Sequence, residues 1–97
     1  MRIGTVVKLK GGLLGNEAGA IGVAYERYDI GHVGFSFIFE NGEYDGFDLS
    51  ERERFLDVVG HCDAVSDYQF SNVIKLSRDF DSGYFTPVFK GGLESNK

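Results

Sequence analysis

Residues 35–47 read Phe35-Ser36-Phe37-Ile38-Phe39-Glu40-Asn41-Gly42-Glu43-Tyr44-Asp45-Gly46-Phe47, and the fold is decided there. Phe35, Phe37 and Phe39 recur at period two, which is one face of a β-strand and not of a helix. Asn41-Gly42 follows, the pair best suited to a type I′ turn, whose two central residues both need φ > 0. A strand over Phe35–Glu40 is therefore expected to fold back on the residues after Gly42. Counting outward from a two-residue turn sets Glu40 opposite Glu43, Phe39 opposite Tyr44, Ile38 opposite Asp45 and Phe37 opposite Gly46. A ring over a strand glycine covers bare backbone. Two glutamates facing each other at the tip repel, and need solvent, a cation or a basic partner.

Upstream, the alternation repeats. Thr5–Lys10 sets Val7 and Leu9 on one face and Val6, Lys8 and Lys10 on the other, a strand with its core on one side. Ile21–Tyr28 sets Ile21, Val23 and Tyr25 against Gly22, Ala24 and Glu26. The small residues of that second face allow another backbone to approach closely. Gly11–Gly19 is a glycine-studded connection.

Downstream, Ser50 and Glu53 have capping-box spacing, with Phe55, Leu56 and Val59 on one side and Gly60 as a stop, so a helix is expected over 50–59. Tyr68–Phe70 reads as a short strand. Residues 71–80 fit a helix capped by Ser71 and stopped by Gly83, or a strand. Tyr84–Phe89 reads as a last strand, at an edge because of Pro87. Residues 90–97, KGGLESNK, read as a frayed tail. The expectation is a mainly β single domain over 1–89, a small partly open antiparallel barrel with one short helix and a second helical segment in question near 71–80.

Composition agrees. Of 97 residues 42% are hydrophobic and 14% aromatic, enough to bury one core. Fourteen glycines argue for turns and strand kinks over a helical bundle. No apolar run is long enough to cross a membrane as a helix, and a cytoplasmic protein is expected.

The N-terminal half resembles the opening of a KOW or SH3-like small barrel. The residues that carry the resemblance are Gly4, Val7 and Leu9 on a strand, then Gly12, Gly15, Gly19, Gly22 and Val23, with a G-x-x-G step at Gly19-Ala20-Ile21-Gly22. It covers about residues 4–49. Similar domains contact ribosomal RNA or other proteins, so the resemblance implies fold more than function. RNA-binding members present basic loops, whereas residues 12–21 here hold Glu17 and no Lys or Arg.

Catalytic signatures are missing. His61, Cys62 and Asp63 are adjacent, and neighbours in a chain diverge too far to form a nucleophile–base pair. A dyad would have to join Cys62 to His32. No G-x-S-x-G, H-E-x-x-H or Walker pattern occurs. One cysteine permits no internal disulfide, and with two histidines it is too few for a Cys/His zinc site. Glu40, Glu43, Asp45 and Asp48 cluster without the spacing of an EF-hand. No enzyme activity, cofactor or metal is expected.

Charge points to a partner. The net charge is −5, and residues 26–67 carry eleven acids against Arg27, Arg52 and Arg54. Tyrosine tolerates half-exposure and is enriched at interfaces. A binding module is expected, contacting a basic protein through Glu40, Glu43, Tyr44 and Asp45, with Tyr25 and Tyr28 beside them. The alternative is a nucleic-acid-associated barrel using Arg2, Lys8, Lys10, Lys75 and Arg78. A third reading is a homo-oligomer joined through a sheet edge.

Overall fold

The computed structural model describes residues 1–29 and 33–90. Five strands, β1 (Thr5–Leu9), β2 (Ile21–Tyr28), β3 (Gly34–Phe39), β4 (Tyr44–Asp48) and β5 (Leu56–His61), form one antiparallel sheet in the order β4-β3-β2-β1-β5. Helix α1 (Leu49–Phe55) links β4 to β5. A 3-10 turn (Asp63–Val65) and helices α2 (Val73–Asp81) and α3 (Thr86–Phe89) follow. The first four strands are a meander, and β5 returns to the free edge of β1. Among the described residues no ladder joins β4 to β5. The result is a mainly β, open, barrel-like sheet with short helices.

The sheet is buried on both faces. Inside lie Val7, Leu9, Ala24, Phe35, Phe37, Phe39, Phe47 and Leu56. Outside, Val6, Val23, Tyr25 and Ile38 pack under Cys62, Val65, Tyr68, Leu76, Phe85 and Val88. The one-sided core expected for Thr5–Lys10 is therefore two-sided: Val6 and Val7 are both fully buried. The second layer comes from the C-terminal segment. Tyr68 donates to Asp79 Oδ2 at 2.8 Å, and Lys75 Nζ reaches the same oxygen at 2.7 Å while sitting 4.6 Å over the Tyr68 ring. These contacts hold α2 against the outer face.

The hairpin forms one residue out of the expected register. Ile38 faces Tyr44, Phe37 faces Asp45, Ser36 faces Gly46 and Phe35 faces Phe47. Of the two turn residues only Gly42 has positive φ, at 88°. A type I′ turn is thereby ruled out. Phe39 N donates to Glu43 O at 2.9 Å and Gly42 N to Phe39 O at 2.8 Å, a three-residue loop ending in a left-handed glycine. Asn41 is held by its surroundings. Its Oδ1 accepts from Glu43 N at 3.0 Å and Asn16 Nδ2 at 3.1 Å, and its Nδ2 donates to Leu14 O at 3.0 Å. The shift puts Phe47 with the phenylalanine stripe, its ring 5.7 Å from that of Phe37.

Other expectations change too. The helix expected over 50–59 ends at Phe55, and its cap is Asp48 with Glu51, not Ser50 with Glu53. Residues 56–61 become β5 because β1 offers a free edge, with Leu9 opposite Leu56 and Lys8 opposite Asp57. Tyr68–Phe70 is not a strand. The segment in question near 71–80 resolves as helix from Val73 to Asp81, and its cap is Asn72, whose side chain accepts from Lys75 N, not Ser71. Gly83 stops α2 as expected: Gly83 N donates to Phe80 O and Tyr84 N to Asp79 O. The expected last strand is α3 instead, with Pro87 in its first turn, where no backbone N–H is missed. From Gly91 onward the expected tail lies outside the described residues.

Gly22 shows how tightly the inner face is packed. A Cβ there would lie 2.5 Å from Phe39 Cε1 and 3.3 Å from the backbone oxygen of Ile38, so a ring and the neighbouring backbone both close on this position. Gly22→Ala is expected to destabilise the protein by about 1–3 kcal/mol, measured as a lower urea midpoint at unchanged slope.

Candidate functional site

The expected site residues fall into two groups. Glu40 and Glu43 belong to the turn. Glu40 N donates to Ile21 O at 3.1 Å, and Glu43 N is taken up by Asn41. They do not pair across a ladder as the type I′ register required. Glu40 instead borders a shallow hollow with Glu17, Asn16 and Asn41. A Cβ on Gly42 would lie 3.4 Å from the Phe80 ring, so α2 backs the turn on one side.

The second group is Tyr25, Tyr28, Tyr44 and Asp45. Tyr25 occupies a bulge between Ala24, opposite Phe37, and Glu26, opposite Ser36. It is buried in the outer core, its ring 5.2 Å from Phe70 and 6.5 Å edge-on to Tyr44. Tyr44 remains 37% exposed, so the pair runs from core to surface. Ser36 donates to Glu26 Oε1 at 3.1 Å beside the Tyr25 phenol. Tyr28 lies across two glycines. A Cβ on Gly46 would lie 3.1 Å from its hydroxyl, and one on Gly34 would collide with its ring. The expected ring-over-glycine contact at Gly46 is thus made by Tyr28 and not Phe37, because the shifted register puts Ser36 opposite Gly46.

Carboxylates surround these phenols. Burial raises the Tyr28 pKa, and Glu51, Asp48, Asp45 and Glu26 raise it further. Burial also raises Tyr25; the hydrogen bond with Ser36 opposes this, while Glu26, Tyr44 and Asp45 add to the rise. Sequence spacing alone does not place Glu26, Asp48 or Glu51 beside these phenols. The last two are helix-capping groups, and only the fold brings them beside Tyr28. Among the described residues, Glu26, Asp45 and Glu51 form no ion pair with Lys or Arg.

Strand β4 is a sheet edge, yet its backbone is partly sealed. Because Phe39 bonds Glu43, the alternation of the ladder turns the N–H groups of Tyr44, Gly46 and Asp48 away from β3. Gly46 N donates to Asp45 Oδ1 at 2.8 Å and Asp48 N to Glu51 Oε1 at 2.9 Å. Two of the three outward amides already have acceptors.

The cations of the alternative reading are partly engaged elsewhere. Lys10 Nζ lies 3.7 Å from Asp57 and donates to Glu53 O at 2.6 Å, and Lys75 pairs with Asp79 at 2.7 Å. Cys62 is a buried free thiol, and His32 lies outside the described residues. Among the described residues no three His, Cys, Asp or Glu side chains converge as a metal site, and no helix is long and apolar enough to cross a membrane. Comparison with protein families, curated proteins and solved structures finds no match.

The phenols give a pH signature. Tyr25, Tyr28, Tyr68 and Tyr84 all have pKa values raised above the usual 10.0. Above pH 10.0 the unfolded chain loses phenol protons that the folded chain keeps, so stability is full below that pH and falls as pH rises past it. Urea unfolding followed from neutral pH to about pH 11 should show this decline, with Tyr25→Phe flattening it.

Proposed function

We propose that this chain is a non-enzymatic binding module whose acidic, tyrosine-bearing face, built on β2, β3 and β4, takes a basic segment of another protein. The observation that carries the reading is the gathering of Tyr25, Tyr28 and Tyr44 in the field of Glu26, Asp45, Asp48 and Glu51. Lysine and arginine side chains match both features, since carboxylates accept their hydrogen bonds and ring faces attract their charge. Tyr44 is the exposed ring, with Tyr25 behind it. Glu40 and Glu43 at the turn extend the negative field and steer a basic partner toward the face.

Side chains, not strand addition, make the contact. The Asp45 and Glu51 carboxylates already occupy two outward amides of β4, which blunts the edge against a further strand and against a second copy of the chain. The nucleic-acid alternative has less support, because Lys10 and Lys75 are paired with Asp57 and Asp79. The meander completed by β5 beside β1 supports an SH3-like reading of the barrel. The lone buried thiol of Cys62 suits a reducing, cytoplasmic setting.

Affinity capture from a lysate of the source cells, with and without nuclease and at low and high salt, tests the proposal. The expected result is a basic protein retained after nuclease and weakened by salt. The double variant Glu43→Lys/Asp45→Lys should bind that protein about tenfold more weakly at low salt. Capture that vanishes with nuclease, or affinity unchanged in the double variant, would overturn it.

A further inference from the structure

The acidic face leaves one feature of the molecule unused. Between β5, α1 and the N-terminal residues the open sheet has a groove of about 440 Å³, lined among others by Arg2, Thr5, Arg52, Val58 and His61. We propose that this groove is a separate binding site for a compact oxyanion, a phosphate or carboxylate group of a small molecule.

Polar groups of two lining residues, Arg52 and His61, lack partners. Arg52 Nε is shielded from solvent and has no hydrogen-bond partner. Its Nη1 reaches only Met1 Sδ, at 3.1 Å, and a thioether is a weak acceptor. The guanidinium is held 5.7 Å over the Phe35 ring, which fixes its plane without neutralising its charge. Both nitrogens of His61 are likewise shielded and without a hydrogen bond. Nε2 lies 3.3 Å from Asp63 Oδ1, close enough for attraction but not aligned as a hydrogen bond, and the Asp63 side chain is 95% exposed. Arg2 is exposed and also lines the groove.

Neither Arg2 nor Arg52 has a carboxylate within ion-pair distance among the described residues. Carboxylates are not scarce in a chain of net charge −5. Shielded polar groups without partners cost stability, and folded proteins rarely keep them without a reason. An oxyanion in the groove supplies the missing negative charge. Its oxygens match the paired N–H groups that the guanidinium groups of Arg2 and Arg52 present to the groove, and the shielded Arg52 Nε–H and His61 ring lie close enough to report its field. The volume is that of a small-molecule site, which spans about 300–1,000 Å³. Thr5 and Val58 give it one polar and one apolar wall, room for a short carbon skeleton behind the anion.

Titration of the full chain with inorganic phosphate and with succinate, each against sodium chloride at equal ionic strength, tests the site. The readout is the NMR signals of the Arg52 Nε–H and the His61 ring. Saturable shifts of both, with affinity about tenfold weaker in Arg52→Gln, are expected. A response to phosphate alone assigns a phosphoryl ligand, one to succinate alone a carboxylate, and a response to both the shared oxyanion chemistry. Should Arg52→Gln not fold, Arg2→Gln at the mouth carries the comparison, with weaker binding again expected. Shifts that match the chloride control, or affinity unchanged in the variant that folds, would overturn the assignment. The acidic-face variant Glu43→Lys/Asp45→Lys should leave this binding intact, which keeps the two sites separable.

Discussion

The left-handed backbone of Gly42, with Asn41 tied beside it, is the constraint on which the rest depends. A two-residue turn and a three-residue turn differ by one position in register, and one position exchanges the faces of β4. With the turn as it stands, Phe47 joins Phe35, Phe37 and Phe39 inside the sheet. Gly46 falls opposite Ser36, and the Tyr28 ring settles across Gly34 and Gly46. In the other register Phe47 would leave the inner core. The choice is made by Asn41, whose side chain binds Glu43 N, Asn16 and Leu14. Residues far apart in the chain thus decide a turn that looks local.

Burial on both faces of the sheet has a comparable reach. A sheet of five strands with one wet face would place polar residues at every second position. Here Val6, Val23 and Ile38 point the opposite way from Val7, Ala24 and Phe37, and all six are buried. The second layer they require is supplied by residues 62–88, held down by the cluster of Tyr68, Lys75 and Asp79. The same layer leaves one end of the outer face uncovered, where Tyr44 emerges from beside Tyr25. The candidate protein-binding face is the margin of that second layer.

Charge is sorted across the molecule. Glu26, Asp45, Asp48 and Glu51 gather around phenols at the β4 edge. Arg2 and Arg52 converge on the seam beside β5. Helix α1 contributes to both, because Glu51 in its first turn faces Tyr28 while Arg52, one residue on, lies over Phe35. Consecutive helical residues diverge by about 100°, so a single short helix separates the two signs.

By itself, the sequence determined what rests on short-range physics. The strands over 5–10, 21–28 and 35–40 were legible because period-two apolar residues admit no other regular structure, and Gly83 was legible as a helix stop because the left-handed position suits it. The β character and the hairpin followed from the same reasoning. Tertiary structure alone decided the rest. Leu56–His61 satisfies helical spacing and β-propensity alike, and only the open edge of β1 makes it a strand. Pro87 fits an edge strand or a helix start, and packing of Val88 into the outer core selects the helix. Glu26, Asp48 and Glu51 approach Tyr28 only after β2, β4 and α1 are assembled, and Arg2, Arg52 and His61 meet only across the seam. Local periodicity reports which face a residue is on; it carries no information about which distant residue shares that face.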